Sequence, residues 1–187
     1  MGYMVEGVYH TGDDVTRTLP SGEWERSRSN VRNWITPDGE PGPTGKGGFA
    51  AEPDRYHLYV AWNCPWAHRT LLTRELKGLE EVISFSVARP NRNDQGWIFD
   101  ADGPFSDPLL GISALHEVYS RDTQPYTGRL TVPVLWDKKQ QCMVSNESAD
   151  IVRMLNTAFA NHVPDRVDLY PEHKRDQIEQ WNGLIYT

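Results

Sequence analysis

Residues 56–78, YHLYVAWNCPWAHRTLLTRELKG, decide the fold of this chain. The first six alternate in the period-two pattern of a half-buried strand. Pro65 then suits the first turn of a helix, because its missing N–H would have no intrahelical partner there, and Gly78 supplies a left-handed end. The apolar residues that recur at helical spacing between these two are Ala67, Leu71, Leu72 and Leu76. The stretch therefore predicts a strand followed directly by a helix.

Cys64 lies where the predicted strand ends and the predicted helix begins. Free N–H groups and the positive end of the helix dipole favour an anion there, so the thiol should lose its proton more readily than a free cysteine. Ala67 stands where a C-x-x-C motif would have its second cysteine, so any disulfide of Cys64 would form with an outside thiol such as glutathione. Two other interpretations stay open: an inert buried cysteine, or a metal ligand together with His68, which lacks the further ligands that zinc prefers.

The composition argues against several classes of partner. The chain has 187 residues, enough for one domain and the beginning of a second, and its net charge of -7 without a long basic run argues against nucleic acid. No apolar segment approaches the roughly 18 residues needed to cross a bilayer, and the first residues lack a signal pattern. Two cysteines do not make a disulfide framework. We therefore expect a cytoplasmic protein that binds neither nucleic acid nor membranes.

A second strand follows the helix. Apolar residues and serines alternate over 83–87, and strand, helix and strand at this spacing predict a right-handed βαβ unit. The next segment, 88–110, is rich in Asn, Asp, Gly and Pro, and long loops inside compact domains are often functional. Trp97 lies within it, either as an anchor that pins the loop to the core or as part of a site. Residues 112–119 have the pattern of a short helix.

Residues 129–136, RLTVPVLW, are strand-like but contain Val132-Pro133. A proline inside a strand needs an edge position or a special geometry. Residues 137–141 predict a tight turn into a further strand. We assign Cys142, in that strand, a structural role, and its pairing with Cys64 stays an alternative.

Polar residues at 145–148, SNES, precede a helical pattern. The N–H groups at such a helix start bind carboxylates. Ser145 or Asn146 would also be an ordinary helix cap, and both interpretations can hold at once. The apolar residues of the predicted helix are Ile151, Val152, Leu155 and Phe159.

The two ends of the chain differ from its middle. Residues 1–54 are rich in Gly, Pro, Ser and charge, and we expect an extended arm wrapped on the domain. Four large apolar residues are spaced as its anchors, which argues against complete disorder: Trp24, Trp34, Ile35 and Phe49. Tyr170-Pro171 opens a last helical pattern, with Ile178, Trp181 and Ile185 on one face. Such a short helix cannot bury its apolar stripe by itself.

Several segments together resemble one known family. NCPWAHRT after YHLYVAW, then GWIFD, GRLTVPVLWD and SNESADI, are similar in content and order to the glutathionyl-hydroquinone reductases, the Xi class of glutathione transferases. The resemblance covers the chain from Ser27 onward. C-P-W-A-H-R is the most specific of these motifs, and the others would be weak if taken singly.

The resemblance implies an α/β fold, the thioredoxin-like N-terminal domain of a glutathione transferase. It divides the chain into an N-terminal extension (1–54), a glutathione-binding domain (55–162), and a linker with the first helix of an all-α domain (163–187). Most of that helical domain, which supplies the pocket for the aromatic substrate in the family, is missing, so we expect a truncated chain. The family forms homodimers, although part of the interface comes from the missing domain.

The resemblance also assigns roles to individual residues. Cys64 is the implied nucleophile. The implied glutathione-binding residues are Trp97, which covers the tripeptide; Arg129, which pairs with the glycyl carboxylate; Val132, whose backbone precedes a cis proline and pairs with the cysteinyl part; and Glu147 and Ser148, which hold the γ-glutamyl end.

The implied reaction is a two-step thiol exchange with glutathione as co-substrate and no metal. Cys64 takes glutathione from a glutathionyl-hydroquinone as a mixed disulfide, and a second glutathione releases oxidised glutathione. Two alternatives stay open: a glutathione-binding module without turnover, and a glutaredoxin-like thiol transferase. His68 and Arg69 lie near Cys64 and either modulate its charge or, as we prefer, face solvent.

Overall fold

A strand–helix–strand unit forms the centre of the molecule in the computed structural model, which describes residues 2–12, 29–164 and 167–185. Strand β3 (Tyr56–Ala61) leads into helix α1 (Pro65–Leu76), and strand β4 (Ile83–Ala88) returns parallel to β3. Gly78 ends the helix with φ of +69°, a value that favours glycine. The predicted βαβ unit and its boundaries are confirmed.

An antiparallel pair completes the main sheet. Strands β6 (Val134–Asp137) and β7 (Cys142–Ser145) give the order β4-β3-β6-β7, with β6 antiparallel to both β3 and β7. Helix α3 (Ser148–Thr157) follows β7 and packs against α1. This mixed sheet with two packed helices is the expected thioredoxin-like arrangement.

Strand β3 is buried on both faces, so the prediction of a half-buried strand is wrong. Its second face holds polar groups that find partners inside the protein. The two ring nitrogens of His57 lie 2.8 Å from the hydroxyls of Ser84 and Ser86, and the Tyr59 ring packs edge-on against Phe99 from the following loop. The alternating pattern correctly marks the positions of polar side chains, but their polar groups are hydrogen-bonded inside the protein and not to water.

Helix α1 also differs from the prediction in the face that it buries. Leu72 and Leu76 are 48% and 42% exposed, whereas Thr70 and Arg74 are buried. The Thr70 hydroxyl donates to a carbonyl one turn earlier (2.7 Å), and the Arg74 guanidinium donates to the carbonyl of Ile83 (2.5 Å). Because these polar groups are satisfied locally, they can occupy the side that faces the sheet.

The N-terminal arm forms a small second sheet that the sequence did not predict. Strands β1 (Tyr3–Val5) and β2 (Val8–His10) make a hairpin, and β5 (Gly128–Arg129) pairs with β1. Strands of two or three residues are too short to show a period in the sequence. The predicted anchors Ile35 and Phe49 are buried and Trp34 is half-buried, while Trp24 lies outside the described residues.

Helix α2 (His116–Ser120) begins later than the predicted 112–119. Residues 113–115 are instead held by the preceding loop, since the carbonyl of Ser113 accepts from Phe99 and the N–H of Leu115 donates to Trp97. The Glu117 carboxylate accepts the N–H of Ser113 (2.9 Å) just before the helix begins.

The last predicted helix is present. After a 3-10 turn at Glu172–Lys174, helix α4 (Arg175–Ile185) leaves Trp181 and Ile185 59% and 65% exposed, and Ile178 is half-buried. Among the described residues, no helix has both the length and the apolar character to span a bilayer.

Candidate active site

The topology of the main sheet brings most of the predicted site residues to one edge. Ala61, Ala88 and Ser145 end their strands, and Val134 begins its own, at the same edge, as the pairs Ala61–Ala88, Tyr59–Val134 and Leu135–Ser145 require. The segments that continue from this edge carry Cys64, the loop with Trp97, Val132, and Glu147 with Ser148.

Cys64 is the N-cap residue of α1, with an extended backbone (φ −101°, ψ 113°), and its side chain caps no N–H. The half-exposed thiol donates to the carbonyl oxygen of Val132 across 3.5 Å. The Val132-Pro133 bond is cis, so the expected isomer is present, and Val132 is itself buried. Two segments 68 residues apart therefore meet at the sulfur.

The two cysteines are both free, and Cys142 is buried in β7. Burial raises the pKa of the Cys142 thiol to about 12, and the carboxylates of Asp122 and Asp137 add to the shift. Cys142 is therefore a buried strand residue, and the alternative disulfide with Cys64 is not formed.

Glu147 is the N-cap of α3, so the predicted cap at Ser145 or Asn146 is wrong. One oxygen of Glu147 accepts the N–H of Ala149 (3.1 Å), and the other accepts the hydroxyl of Ser29 from the N-terminal arm (3.1 Å). The Ser145 hydroxyl accepts the N–H of Glu147 instead (3.1 Å). The Ser145 hydroxyl is thus engaged by the N–H of the capping residue and not by the first turn of the helix.

Arg69 was assigned to the solvent by sequence reasoning, and this prediction is wrong. Its Nε and Nη2 both donate to the hydroxyl oxygen of Ser148, across 3.0 and 2.6 Å, and Nη2 lies 3.7 Å from Glu147. The guanidinium also lies 5.0 Å from the Trp66 ring. A single arginine on a polar helix face gives no sequence signal for such a contact; its place inside the C-P-W-A-H-R motif was the only hint.

Trp97 and Arg129 belong to elements other than those that carry Cys64 and Ser148. Trp97 is 7% exposed, its carbonyl accepts the N–H of Leu115 (2.8 Å), and the Arg92 guanidinium lies 4.4 Å from its ring. This burial favours the interpretation that Trp97 pins the loop. Arg129 is half-buried in β5, three positions before Val132. Their contacts with a ligand stay predictions.

The alternative metal site receives no support from the neighbours of Cys64. His68 is exposed on α1. Within the ranges that the structure describes, no three His, Cys, Asp or Glu side chains lie close enough together to hold a metal ion.

Comparison with known proteins shows which family has a domain of this kind. Residues 63–158 match the family model described as glutathione S-transferase, N-terminal domain. The chain belongs to the glutathione S-transferase family. The match begins one residue before Cys64 and ends after α3, so it contains all six of the predicted site residues.

Individual members of the glutathione S-transferase family are similar over most or all of the chain. The glutathionyl-hydroquinone reductase YqjG of Escherichia coli K-12 is 51% identical over 189 residues, which cover 100% of this chain and 57% of that protein. Its glutathione-bound structure aligns with a TM-score of 0.79 and 53% identity over 83% of this chain and 52% of the other. The Xi-class enzyme of Natrialba magadii aligns with a TM-score of 0.82 and 40% identity over 100% and 54%.

These comparisons confirm the resemblance to glutathionyl-hydroquinone reductases and Xi-class transferases, and the thioredoxin-like fold that it implied. The chain spans about half the length of the relatives that it matches.

Proposed function

We propose that this chain carries the thiol-exchange half of a glutathionyl-hydroquinone reductase, with Cys64 as the nucleophile. The Cys64 thiolate attacks the sulfur of a glutathionyl-hydroquinone, and a sulfur–sulfur bond forms as the bond from sulfur to the ring carbon breaks. The electron pair of the broken bond stays with that carbon, which takes up a proton to give the hydroquinone. A second glutathione thiolate then attacks the mixed disulfide, releases oxidised glutathione and restores the Cys64 thiolate.

The observation that carries the proposal is the position of the Cys64 sulfur. It is half-exposed at the start of α1, and it lies 3.5 Å from the backbone carbonyl of Val132. A bound cysteinyl sulfur would meet Cys64 at this place while its backbone pairs with Val132. The reductases among the relatives support the choice of substrate class.

We propose that the remaining residues of the site hold the tripeptide. Glu147 accepts from the γ-glutamyl ammonium and Ser148 donates to the γ-glutamyl carboxylate at the start of α3. Arg129 pairs with the glycyl carboxylate, and Trp97, from its place against the core, covers the tripeptide. The glutathione-bound structures of two relatives support glutathione as the ligand.

The division of the chain at residues 54 and 162 into extension, glutathione-binding domain and helical segment belongs to the same proposal, as do a homodimer and a cytoplasmic location. Light scattering on the purified chain tests the dimer directly, since the masses of monomer and dimer differ by a factor of two.

The test uses the purified chain, glutathionyl-menadiol and glutathione. We expect release of menadiol and oxidised glutathione in equal amounts, and an intermediate whose mass exceeds that of the chain by one bound glutathione. Cys64→Ser should abolish the release of the two products and the formation of the intermediate, whereas Cys142→Ser should retain all three. A Cys64→Ser variant that still turns over would refute the assignment of the nucleophile.

Two other outcomes would replace the proposal by one of the alternatives. Glutathione binding without menadiol release would indicate a binding module. Reduction of a general mixed disulfide by way of Cys64, without menadiol release, would indicate a glutaredoxin-like transferase.

A further inference from the structure

The Ser148 hydroxyl has an unusual set of partners for a residue at a helix start. Both hydrogen bonds that reach its oxygen come from a single guanidinium on the neighbouring helix, from Nε (3.0 Å) and Nη2 (2.6 Å) of Arg69. A serine oxygen has two acceptor sites and one hydrogen to donate. Arg69 therefore fills both acceptor sites.

The hydroxyl hydrogen of Ser148 is left without an acceptor inside the described part of the protein. Ser148 is 4% exposed, and none of the hydrogen bonds among the described residues has its hydroxyl as donor. A buried donor that is left unpaired is costly, so the group is prepared for an acceptor that comes from outside.

We propose that Arg69 is a positioning residue that fixes the polarity of the Ser148 hydroxyl, so that the start of α3 accepts a carboxylate and the site selects γ-glutamyl thiols. This inference rests on the proposed function, since it concerns the γ-glutamyl end of the same ligand. Arg69 acts through Ser148 and is not itself placed in contact with the reacting sulfur.

The carboxylate of Glu147 explains why the Ser148 hydroxyl needs Arg69 to fix its direction. Glu147 is the residue directly before Ser148 and carries a carboxylate. An unrestrained Ser148 hydroxyl would be free to donate its hydrogen to that carboxylate, and the hydrogen would then not be available to a ligand. The Arg69 Nη2 lies 3.7 Å from Glu147 and offsets its charge. A ligand that carries both an ammonium and a carboxylate then finds an acceptor at Glu147 and a donor at Ser148.

Arg69 also connects the two ends of the proposed ligand site. It belongs to α1, five positions after Cys64, whereas Ser148 begins α3. The Trp66 ring lies 5.0 Å from the guanidinium and supports the orientation of the fork by a cation–π contact. The guanidinium thus sets the position of the γ-glutamyl site relative to the thiol.

The experiment measures formation of a mixed disulfide on Cys64 with two oxidants. In each, the Cys64 thiolate attacks one sulfur of a symmetric disulfide, one new sulfur–sulfur bond forms, the old one breaks, and one thiolate leaves. Oxidised glutathione carries the γ-glutamyl carboxylate, whereas cystamine has no carboxylate. The full chain, Arg69→Gln, Arg69→Lys, Ser148→Ala and the double variant R69Q/S148A are compared by mass spectrometry over time.

We expect Arg69→Gln to slow the reaction with oxidised glutathione by about tenfold to a hundredfold, the loss typical of one hydrogen bond to a charged group. The rate with cystamine should change by less than about twofold, because the thiol itself is untouched. The double variant should be no slower than Ser148→Ala, since Arg69 acts through that hydroxyl. Arg69→Lys keeps the charge but loses the two-donor fork, so its rate with oxidised glutathione should exceed that of Arg69→Gln by less than about threefold.

Arg153→Gln is the matched control, because Arg153 lies on α3 but pairs with Glu179 (2.6 Å). It should react with both disulfides as the unmodified chain does.

Equal losses with both disulfides, additive effects in the double variant, or full rescue by lysine would each overturn the inference. Because the assay needs no hydroquinone, a chain that fails to release menadiol but shows the expected discrimination would refute the proposed reaction and retain the role of Arg69. Circular dichroism of the same samples reports whether each variant is folded, and the cystamine rate reports whether the Cys64 thiol is unchanged.

Discussion

The two sulfur atoms of the chain lie in opposite environments. Cys64 is half-exposed at a helix start, whereas Cys142 is 7% exposed within the sheet, with its pKa raised to about 12, mainly by burial. Since alkylation requires an accessible thiolate, we expect iodoacetamide at neutral pH to modify the native chain once, at Cys64. Peptide mass mapping of the modified chain checks this.

The control for this experiment is the same reaction in concentrated urea, where both cysteines should be modified. Native Cys64→Ser should take up no label. Label on Cys142 in the native chain would contradict the buried environment described for β7.

Single residues of the site differed in how far the sequence could predict them. Cys64 was predictable because its position depends only on the adjoining strand, Pro65 and the helix that follows. Its contact with Val132 depends on strands far apart in the chain and on a cis bond, and only the resemblance suggested that bond. The contact of Arg69 with Ser148 depends on the conformation of a long side chain, which no local pattern encodes.

A polar cluster inside the main sheet makes stability sensitive to pH. His57 on β3 is 1% exposed, lies between two serine hydroxyls of β4, and is 3.9 Å from Asp107 in the following loop. Burial lowers the pKa of His57 to about 4, helped by Lys138 and Arg74 and opposed by Asp107. The folded protein therefore takes up this proton less readily than the unfolded chain, whose histidines have a pKa of about 6.5.

We therefore expect the free energy of unfolding to fall as the pH drops below about 6.5, because the unfolded state then binds more protons. Between about pH 7.5 and about pH 5.5 the contribution of His57 should be on the order of 1 kcal/mol. Urea unfolding at both pH values measures it. In His57→Gln, which keeps polar groups but does not titrate, this part of the pH dependence should vanish, and an unchanged slope would assign it to another group.

The elements themselves were predicted well where their pattern was long. The βαβ unit, the β6–β7 hairpin and α3 follow from periodicity and turn residues. The buried face of α1 did not follow, because Thr70 and Arg74 satisfy their polar groups within the protein and so displace Leu72 and Leu76 to the surface. The hairpin of β1 and β2 was missed because it is three residues long on each side.

Helix α4 is connected to the rest of the molecule mainly through polar contacts. None of its described residues is buried. The segment before it is tied to α3 by Asn156, which donates to the carboxylate of Asp168 (2.8 Å) and accepts the N–H of Leu169 (2.9 Å). Regions with few buried apolar contacts open first, so α4 should exchange its amide hydrogens faster than β3 or α3.

Asn156→Ala should therefore accelerate amide exchange in residues 167–185 by on the order of tenfold, because two hydrogen bonds are lost at once. Exchange in β3 should stay unchanged. Hydrogen-exchange mass spectrometry checks both regions, with Thr157→Ala, an exposed neighbour, as the matched control. An equal acceleration in β3 would mean that α4 opens only together with the whole domain.

The edge of the main sheet opposite Cys64 carries the turn between β6 and β7, where Lys139 is exposed. Strand β6 separates the two edges by about 13 Å, at roughly 3.3 Å for each of its four residues. A biosensor surface attached at this turn would thus bind the molecule on the side opposite the candidate site. A chain immobilised in this way would keep the Cys64 sulfur directed toward the flowing sample.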